Sequence, residues 1–289
     1  MQAFEYARPG SVAEAVALLA QHGAGARILA GGTDLVIGMR NGEIRPTVVV
    51  DLKRVAELAP ALRFDAGGLR LSATAVMREV ERSAEVKAHF PALAEAAGWV
   101  GSVQIRNRAT VVGNICNASP AADTAPPLLV YGAVVVAARP GGGEHRIAID
   151  EFFVRSGVTT LPAGELVTGI DLPLPARRMG SAYTRLTRRR GTDLASITLC
   201  VGVDEAGITR LAYGSVGPRP VLVLDESGTL ADPAAPEEAK IPILESMLAG
   251  ASPSPRSMRA GPEYRLAMLR VLGRRALQTA IERLAKGKA

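Results

Sequence analysis

Apolar residues recur along this chain in different rhythms, and the changes of rhythm divide it into three units. In the first, Val12, Ala15, Val16 and Leu19 return at three- and four-residue steps, which predicts a helix with one buried face. Ser11-Val-Ala-Glu14 has the form of a capping box at its start, and Gly23 is placed to end it. Short apolar runs at Arg27–Ala30 and Thr47–Leu52 read as strands, so residues 1–57 make a small α/β unit. Residues 58–176 carry strand-like Leu69–Ala75, a helical segment at Pro91–Ala97, another strand at Ala133–Ala138 and a hairpin turn at Arg139-Pro-Gly-Gly-Gly143. From 177 to 289 the pattern predicts strands near Ser181–Leu186, Ser196–Val203 and Arg210–Val216, then two helical stretches. In the last, Tyr264, Ala267, Met268, Val271, Leu272, Ile281 and Leu284 fall on one face and read as core.

Composition narrows the function classes. A chain of 289 residues buries a core without covalent staples and suggests two or three compact units. Cys116 and Cys200 are the only cysteines, so neither a disulfide framework nor a C-x-x-C site is available, and a reducing cytoplasm is the expected home. No basic segment followed by an apolar stretch opens the chain, and no run approaches the ~18 apolar residues of a membrane span. The net charge is +6, and residues 256–289 alone hold nine Lys or Arg against two Glu, a balance of +7. Only Tyr264 is interleaved with those charges and no nucleic-acid motif accompanies them, so they read as a solvated or protein-paired helix face.

Two segments carry candidate chemistry. Ile28-Leu-Ala-Gly-Gly-Thr-Asp-Leu35 runs from a strand into a double-glycine turn closed by Thr33 and Asp34, a shape whose amides can cradle a diphosphate. Neither a Rossmann fingerprint nor a P-loop lies near it. Thr110-Val-Val-Gly-Asn-Ile-Cys-Asn-Ala-Ser-Pro-Ala-Ala-Asp123 crowds small, hydrogen-bonding residues into a stretch unlike an ordinary core element. Gly113 lets a ligand approach, Thr110, Asn114, Asn117 and Ser119 offer short donors and acceptors, and Asp123 suits a sugar hydroxyl. Cys116 reads as small, buried and inert. His22, His89 and His145 fall outside both segments, and no nucleophile-base grouping emerges from the spacing.

Taken together, Ala30-Gly-Gly-Thr-Asp34, Gln104-Ile-Arg-Asn107, Thr110-Val-Val-Gly-Asn114 and Ser119-Pro-Ala-Ala-Asp123 resemble the FAD-binding medium subunit of the molybdenum hydroxylases, a family with carbon monoxide and xanthine dehydrogenase flavoproteins. The resemblance extends from Phe4-Glu-Tyr-Ala-Arg-Pro9 through Val48–Leu52 and Gly164–Pro173 to Gly261-Pro-Glu-Tyr-Arg265. It implies an α+β fold: a two-part FAD domain of the PCMH or vanillyl-alcohol-oxidase type, followed by a smaller α+β domain with an antiparallel sheet and helices.

Carried over position by position, the resemblance places Leu29, Ala30, Gly31, Gly32, Thr33, Asp34 and Leu35 along the diphosphate, with Thr110, Val111, Val112, Gly113 and Asn114. Ala118 and Asp123 would follow the rest of the dinucleotide, Leu166 would make an apolar contact with the ring or adenine, and Arg185 would stand near the flavin. The implied partners are a large molybdopterin subunit and a small subunit with two [2Fe-2S] clusters, in a dimer of heterotrimers, with electrons passing through FAD to an outside acceptor. Two positions depart from the family pattern. Val112 replaces a glycine, so either that backbone is extended or the loop meets the phosphates differently. Arg185 replaces a frequent lysine, keeping the charge but not the capacity to deliver a proton. A side chain at Gly32 is expected to fill the space the diphosphate needs. The alternatives are a stand-alone flavin oxidoreductase acting on a small molecule and a flavin-free scaffold subunit.

Overall fold

A computed structural model describes residues 2–189 and 191–286, and its described strands form sheets of three, five and four strands and a two-stranded one. The first unit runs β1 (Glu5–Ala7), α1 (Val12–His22), β2 (Ala26–Leu29), α2 (Leu35–Arg40) and β3 (Val48–Asp51), with its strands parallel in the order β1-β3-β2. Ser11 caps α1 by accepting from the Glu14 amide at 3.2 Å. The Glu14 carboxylate reaches back to the Gly10 amide at 2.7 Å, one residue beyond a regular capping box.

The second unit begins with β4 (Leu62–Asp65) and β5 (Gly68–Ser72). Six short helices follow: α3 (Met77–Arg82), α4 (Ala84–His89), α5 (Pro91–Trp99), α6 (Val103–Arg106), α7 (Val111–Cys116) and α8 (Ala125–Val130). The chain returns through β6 (Val134–Ala138), β7 (Glu144–Ala148), α9 (Ile149–Phe152), β8 (Phe153–Arg155), β9 (Val158–Thr159) and β10 (Leu166–Pro173). Its main sheet is antiparallel, in the order β4-β5-β10-β6-β7, and the expected turn after Arg139 joins β6 to β7. Leu69, Leu71, Val135, Ile170 and Leu172 bury one continuous core with Phe90, Leu93 and Leu128 from the helices. Burial of this kind contributes about 25 cal/mol per Å² of apolar surface and outweighs the weak helix propensity of segments such as α7.

The third unit is an antiparallel meander, β11 (Met179–Leu186), β12 (Ile197–Asp204), β13 (Thr209–Gly214) and β14 (Val221–Asp225), covered by α10 (Glu237–Leu248) and α11 (Pro262–Lys286). The buried face of α11 differs from the expected stripe. Leu272 and Ile281 are buried and Met268 and Leu284 pack against the core as expected, but Tyr264, Ala267 and Val271 are exposed, and Arg265, Leu269, Ala276, Leu277 and Ala280 take the remaining core positions. Arg265 points inward, where a pattern of apolar spacing counts it as solvent-facing.

The turn between β12 and β13 is fixed by Asp204, whose carboxylate accepts from the Ala206 and Ile208 amides at 3.0 Å and from Arg210 at 2.9 Å. Burial pushes this carboxyl up, but Arg210 and the two amides outweigh it and hold it below the ordinary value of 3.8. Its stabilising effect is therefore complete above that value and lost as pH falls through the native pKa. Asp204→Asn is expected to lose about 1–3 kcal/mol at neutral pH, with the deficit against wild type shrinking in acid. Urea midpoints at neutral and acidic pH measure it, and a deficit independent of pH contradicts the ionised-carboxylate account.

Candidate functional site: a seam of two glycine-bearing segments

The glycine turn after β2 leaves four successive amides unspent. Among the described residues, the N–H groups of Gly31, Gly32, Thr33 and Asp34 donate to no backbone or side-chain acceptor, and the Thr33 and Asp34 side chains make no hydrogen bond. The turn is half-buried to exposed, so these amides are open to an outside acceptor, and a run of amides in a turn is the arrangement that receives an anionic oxygen. Gly32 sits at φ 79, the left-handed region that glycine enters without penalty. A Cβ there would stand 2.7 Å from Leu29 Cδ1, so what first constrains this position is its own backbone and Leu29 rather than the room left for a ligand.

Gly31 explains how the two segments meet. A Cβ on it would lie 2.1 Å from the Arg108 carbonyl oxygen and 3.0 Å from Ala109 Cα, so the glycine turn lies flat against the peptide that leads into Thr110. That peptide is anchored from the other side, since the Met77 amide donates to Ala109 O at 2.8 Å and the Val111 amide donates to Ala75 O at 3.1 Å. Segments roughly eighty residues apart in the chain thus share one seam.

The second segment is more regular than its composition suggests. Thr110 is the N-cap of α7, its hydroxyl accepting from the Gly113 amide at 3.0 Å, and Val111, Val112 and Ile115 are buried in the core. Val112 is therefore helical, neither extended nor at positive φ, and its side chain fills the core beneath the segment. Asn114 Oδ1 accepts from the Thr124 hydroxyl at 2.7 Å, which fixes the exit of the helix. Ala118 takes φ 48 and is 2% exposed, so it turns the chain but presents no side chain to the seam. Cys116 is exposed where burial was expected, and the surrounding protein pushes its thiol up to about 12, away from the thiolate. Leu35 opens α2 at the edge of the glycine turn, while Leu166 is 3% exposed within β10 and belongs to the core.

Asp123 and Arg185 form a buried pair that their separation of 62 residues conceals. Both Asp123 oxygens accept from Arg185 Nη1 at 3.0 Å, and one accepts from the Tyr183 hydroxyl at 2.5 Å. Burial pushes the Asp123 carboxyl upward, opposed by Arg185 and Tyr183. Burial together with Asp123 raises the Tyr183 phenol well above its ordinary value, so Tyr183 remains the donor. Arg185 also donates to the carbonyls of Trp99 at 3.0 Å and Asp193 at 2.6 Å, and its guanidinium carbon lies 5.6 Å from the centre of the Trp99 ring. Among the described residues its Nε is buried without a partner. The Asp123 carboxylate is thus engaged by Arg185 and Tyr183, and it matches the Arg185 charge. Tyr183 carried no signal in the sequence that separates it from an ordinary strand residue.

A cavity of about 780 Å³ opens elsewhere, between α1 and the outer face of the five-stranded sheet, beside Val16, Ala17, Arg63, Arg70, Ser72 and Thr168. None of the residues of the two segments lines it, so the unspent amides, not this hollow, mark the seam.

Residues 2–175 match the FAD binding domain in molybdopterin dehydrogenase, well over half of the chain. The chain belongs to this FAD-binding family. Residues 181–280 match the CO dehydrogenase flavoprotein C-terminal domain, so this molybdopterin dehydrogenase flavoprotein carries the two-part FAD domain and the smaller domain expected after it. The carbon monoxide dehydrogenase medium chain of Hydrogenophaga pseudoflava is 32% identical over 286 residues, covering 98% of each chain. The xanthine dehydrogenase FAD-binding subunit of Escherichia coli O157:H7 is 30% identical over 281 residues, covering 96% of this chain and 95% of that one. Among solved structures, the carbon monoxide dehydrogenase of Hydrogenophaga pseudoflava lacking the Mo-pyranopterin moiety superposes with a TM-score of 0.88 at 31% identity, covering 98% of both chains. The flavoprotein is thus an oxidoreductase subunit of the molybdenum hydroxylase type, and its cofactor is FAD. Among the described residues no helix is long and apolar enough to cross a membrane.

Proposed function

We propose that this flavoprotein passes electrons from the [2Fe-2S] clusters of a small partner subunit, reduced by a large molybdopterin subunit, through FAD to an external acceptor, in a cytoplasmic dimer of heterotrimers. The unspent amides of Gly31–Asp34, held by backbone contact against the Arg108–Ala109 peptide, carry the reading, because they suit the diphosphate of a dinucleotide. Leu29–Leu35 and Thr110–Asn114 hold the diphosphate between them. Asp123 and Arg185 brace the remaining length of the site, with Tyr183 and Trp99 fixing the pair. When bound, FAD supplies the exchange between single-electron and two-electron transfer. The unit boundaries near residues 57 and 176 accord with the change from a parallel sheet to antiparallel ones and with the gap between the two family matches.

Purification of the tagged chain from its own host, with flavin extracted and counted, tests the proposal. Stoichiometric FAD and iron-sulfur absorbance from co-purifying large and small polypeptides are expected. A colourless chain that brings down the same partners would establish a scaffold, and a flavin-loaded chain without partners that turns over a small molecule would establish a stand-alone oxidoreductase.

A further inference from the structure

Arg265 closes the Gly261-Pro-Glu-Tyr-Arg265 stretch, for which the cofactor site has no use. It is 4% exposed, and a buried guanidinium is ordinarily matched by a carboxylate. Among the described residues Arg265 forms no salt bridge. Burial lowers its pKa, and the charge of Arg259 adds to that effect. It is held instead by two main-chain carbonyls, its Nε donating to Ser196 O at 3.0 Å and its Nη2 donating to Ser215 O.

Those two carbonyls lie on segments that each lead to Asp123. Ser196 follows the loop in which Asp193 O accepts from Arg185 at 2.6 Å, and Arg185 in turn grips both oxygens of Asp123. Ser215 donates its amide to Pro120 O at 2.6 Å, in the turn that leads directly to Asp123. Ser215 is held at φ 65, and among the described residues its buried hydroxyl has no partner. A residue other than glycine stays in that region only where its surroundings over-determine it, and here the bonds to Pro120 and Arg265 do so. Beside it, a Cβ on Gly214 would stand 2.6 Å from Thr198 Oγ1 and 2.7 Å from Pro120 O, so the end of β13 lies between β12 and the turn.

We propose that Arg265 is a positioning residue for the cofactor site, one buried cation that sets the Pro120–Asp123 turn and the Arg185 loop against each other and makes FAD retention depend on the C-terminal unit. The inference rests on the placement of FAD along the Thr110–Asp123 segment. A lysine at this position keeps the charge but lacks the planar fork that spans two carbonyls, so it restores one contact and not the bridge.

The test is an FAD titration of the full-length chain, followed by quenching of flavin fluorescence, with the unfolding midpoint recorded for each variant. Arg265→Lys is expected to weaken FAD binding about tenfold, a typical size for coupled sites. Leu269→Ala, on the same helix and 1% exposed, lowers the midpoint without touching either carbonyl and is expected to bind FAD within about twofold of wild type. Wild-type affinity in Arg265→Lys, or equal weakening in Leu269→Ala at a matched midpoint, overturns the proposal. If Arg265→Lys does not fold, Gly214→Ala carries the test, since it crowds Pro120 O with Arg265 in place, and it is read in a Thr198→Ala background that removes its other clash, with Thr198 Oγ1. Weakened binding supports the coupling and unchanged binding overturns it. Gly31→Ala in the same series separates the premises: normal affinity there, with weakened Arg265→Lys, would sink the placement of the diphosphate and leave the coupling of Arg265 to flavin standing.

Discussion

Gly31→Ala is expected to strip the chain of flavin and to lower its stability by about 1–3 kcal/mol, the usual cost of forcing atoms into a packed interior. The added Cβ would lie 2.1 Å from the Arg108 carbonyl oxygen and 2.8 Å from its carbon. Both are main-chain atoms, and the neighbouring Ala109 carbonyl and Val111 amide are already bonded to Met77 and Ala75. The strain is relieved only by separating the glycine turn from Thr110, which divides the seam. Urea unfolding and an extracted-flavin count on the same preparation measure the two effects. Full flavin retention at unchanged stability would show that the seam opens without consequence. Gly32→Val reaches a similar end by another route: the left-handed backbone at φ 79 costs a non-glycine residue about 1–2 kcal/mol, and the contact with Leu29 adds to it.

Arg185→Met is the second large effect. It removes the cation from a carboxylate that accepts it at 3.0 Å through both oxygens, leaving Asp123 buried with only the Tyr183 hydroxyl. Breaking one side of such a pair destabilises by about 3–5 kcal/mol, whereas replacing both sides with neutral groups is often close to harmless. The double variant Asp123→Asn with Arg185→Met is therefore expected to be more stable than Arg185→Met alone, with a coupling read from the four unfolding curves of the cycle. Additive losses would mean that the two side chains stabilise the fold independently and that the pair is no unit.

The sequence reveals some of this site and hides the rest, for physical reasons. The helix α1 is legible because Ser11, Glu14 and Gly23 act on neighbouring backbone, and local chemistry is what a sequence displays. The glycine turn is legible for the same reason. Helix α7 is not, because Val111, Val112, Gly113 and Asn114 are poor helix formers that become helical through the Thr110 cap and burial against a sheet assembled from distant strands. The Asp123–Arg185 pair joins two units, and nothing near either residue announces the other. The inward place of Arg265 in α11 is hidden because an arginine in an amphipathic helix counts as solvent-facing, while this one bonds two carbonyls that only the folded chain brings to it.

The contact between Gly31 and the Arg108–Ala109 peptide involves carbonyl and Cα atoms on the far side, with no contribution from the Arg108 side chain. What must be kept there is the number of residues between the helix that begins at Val103 and the cap at Thr110, since Ala109 is held by the Ile105 carbonyl at 2.7 Å behind it and by Met77 ahead of it. Chimeras that exchange this loop between relatives should accept any side chain at Arg108, and a single inserted or deleted residue should disable them.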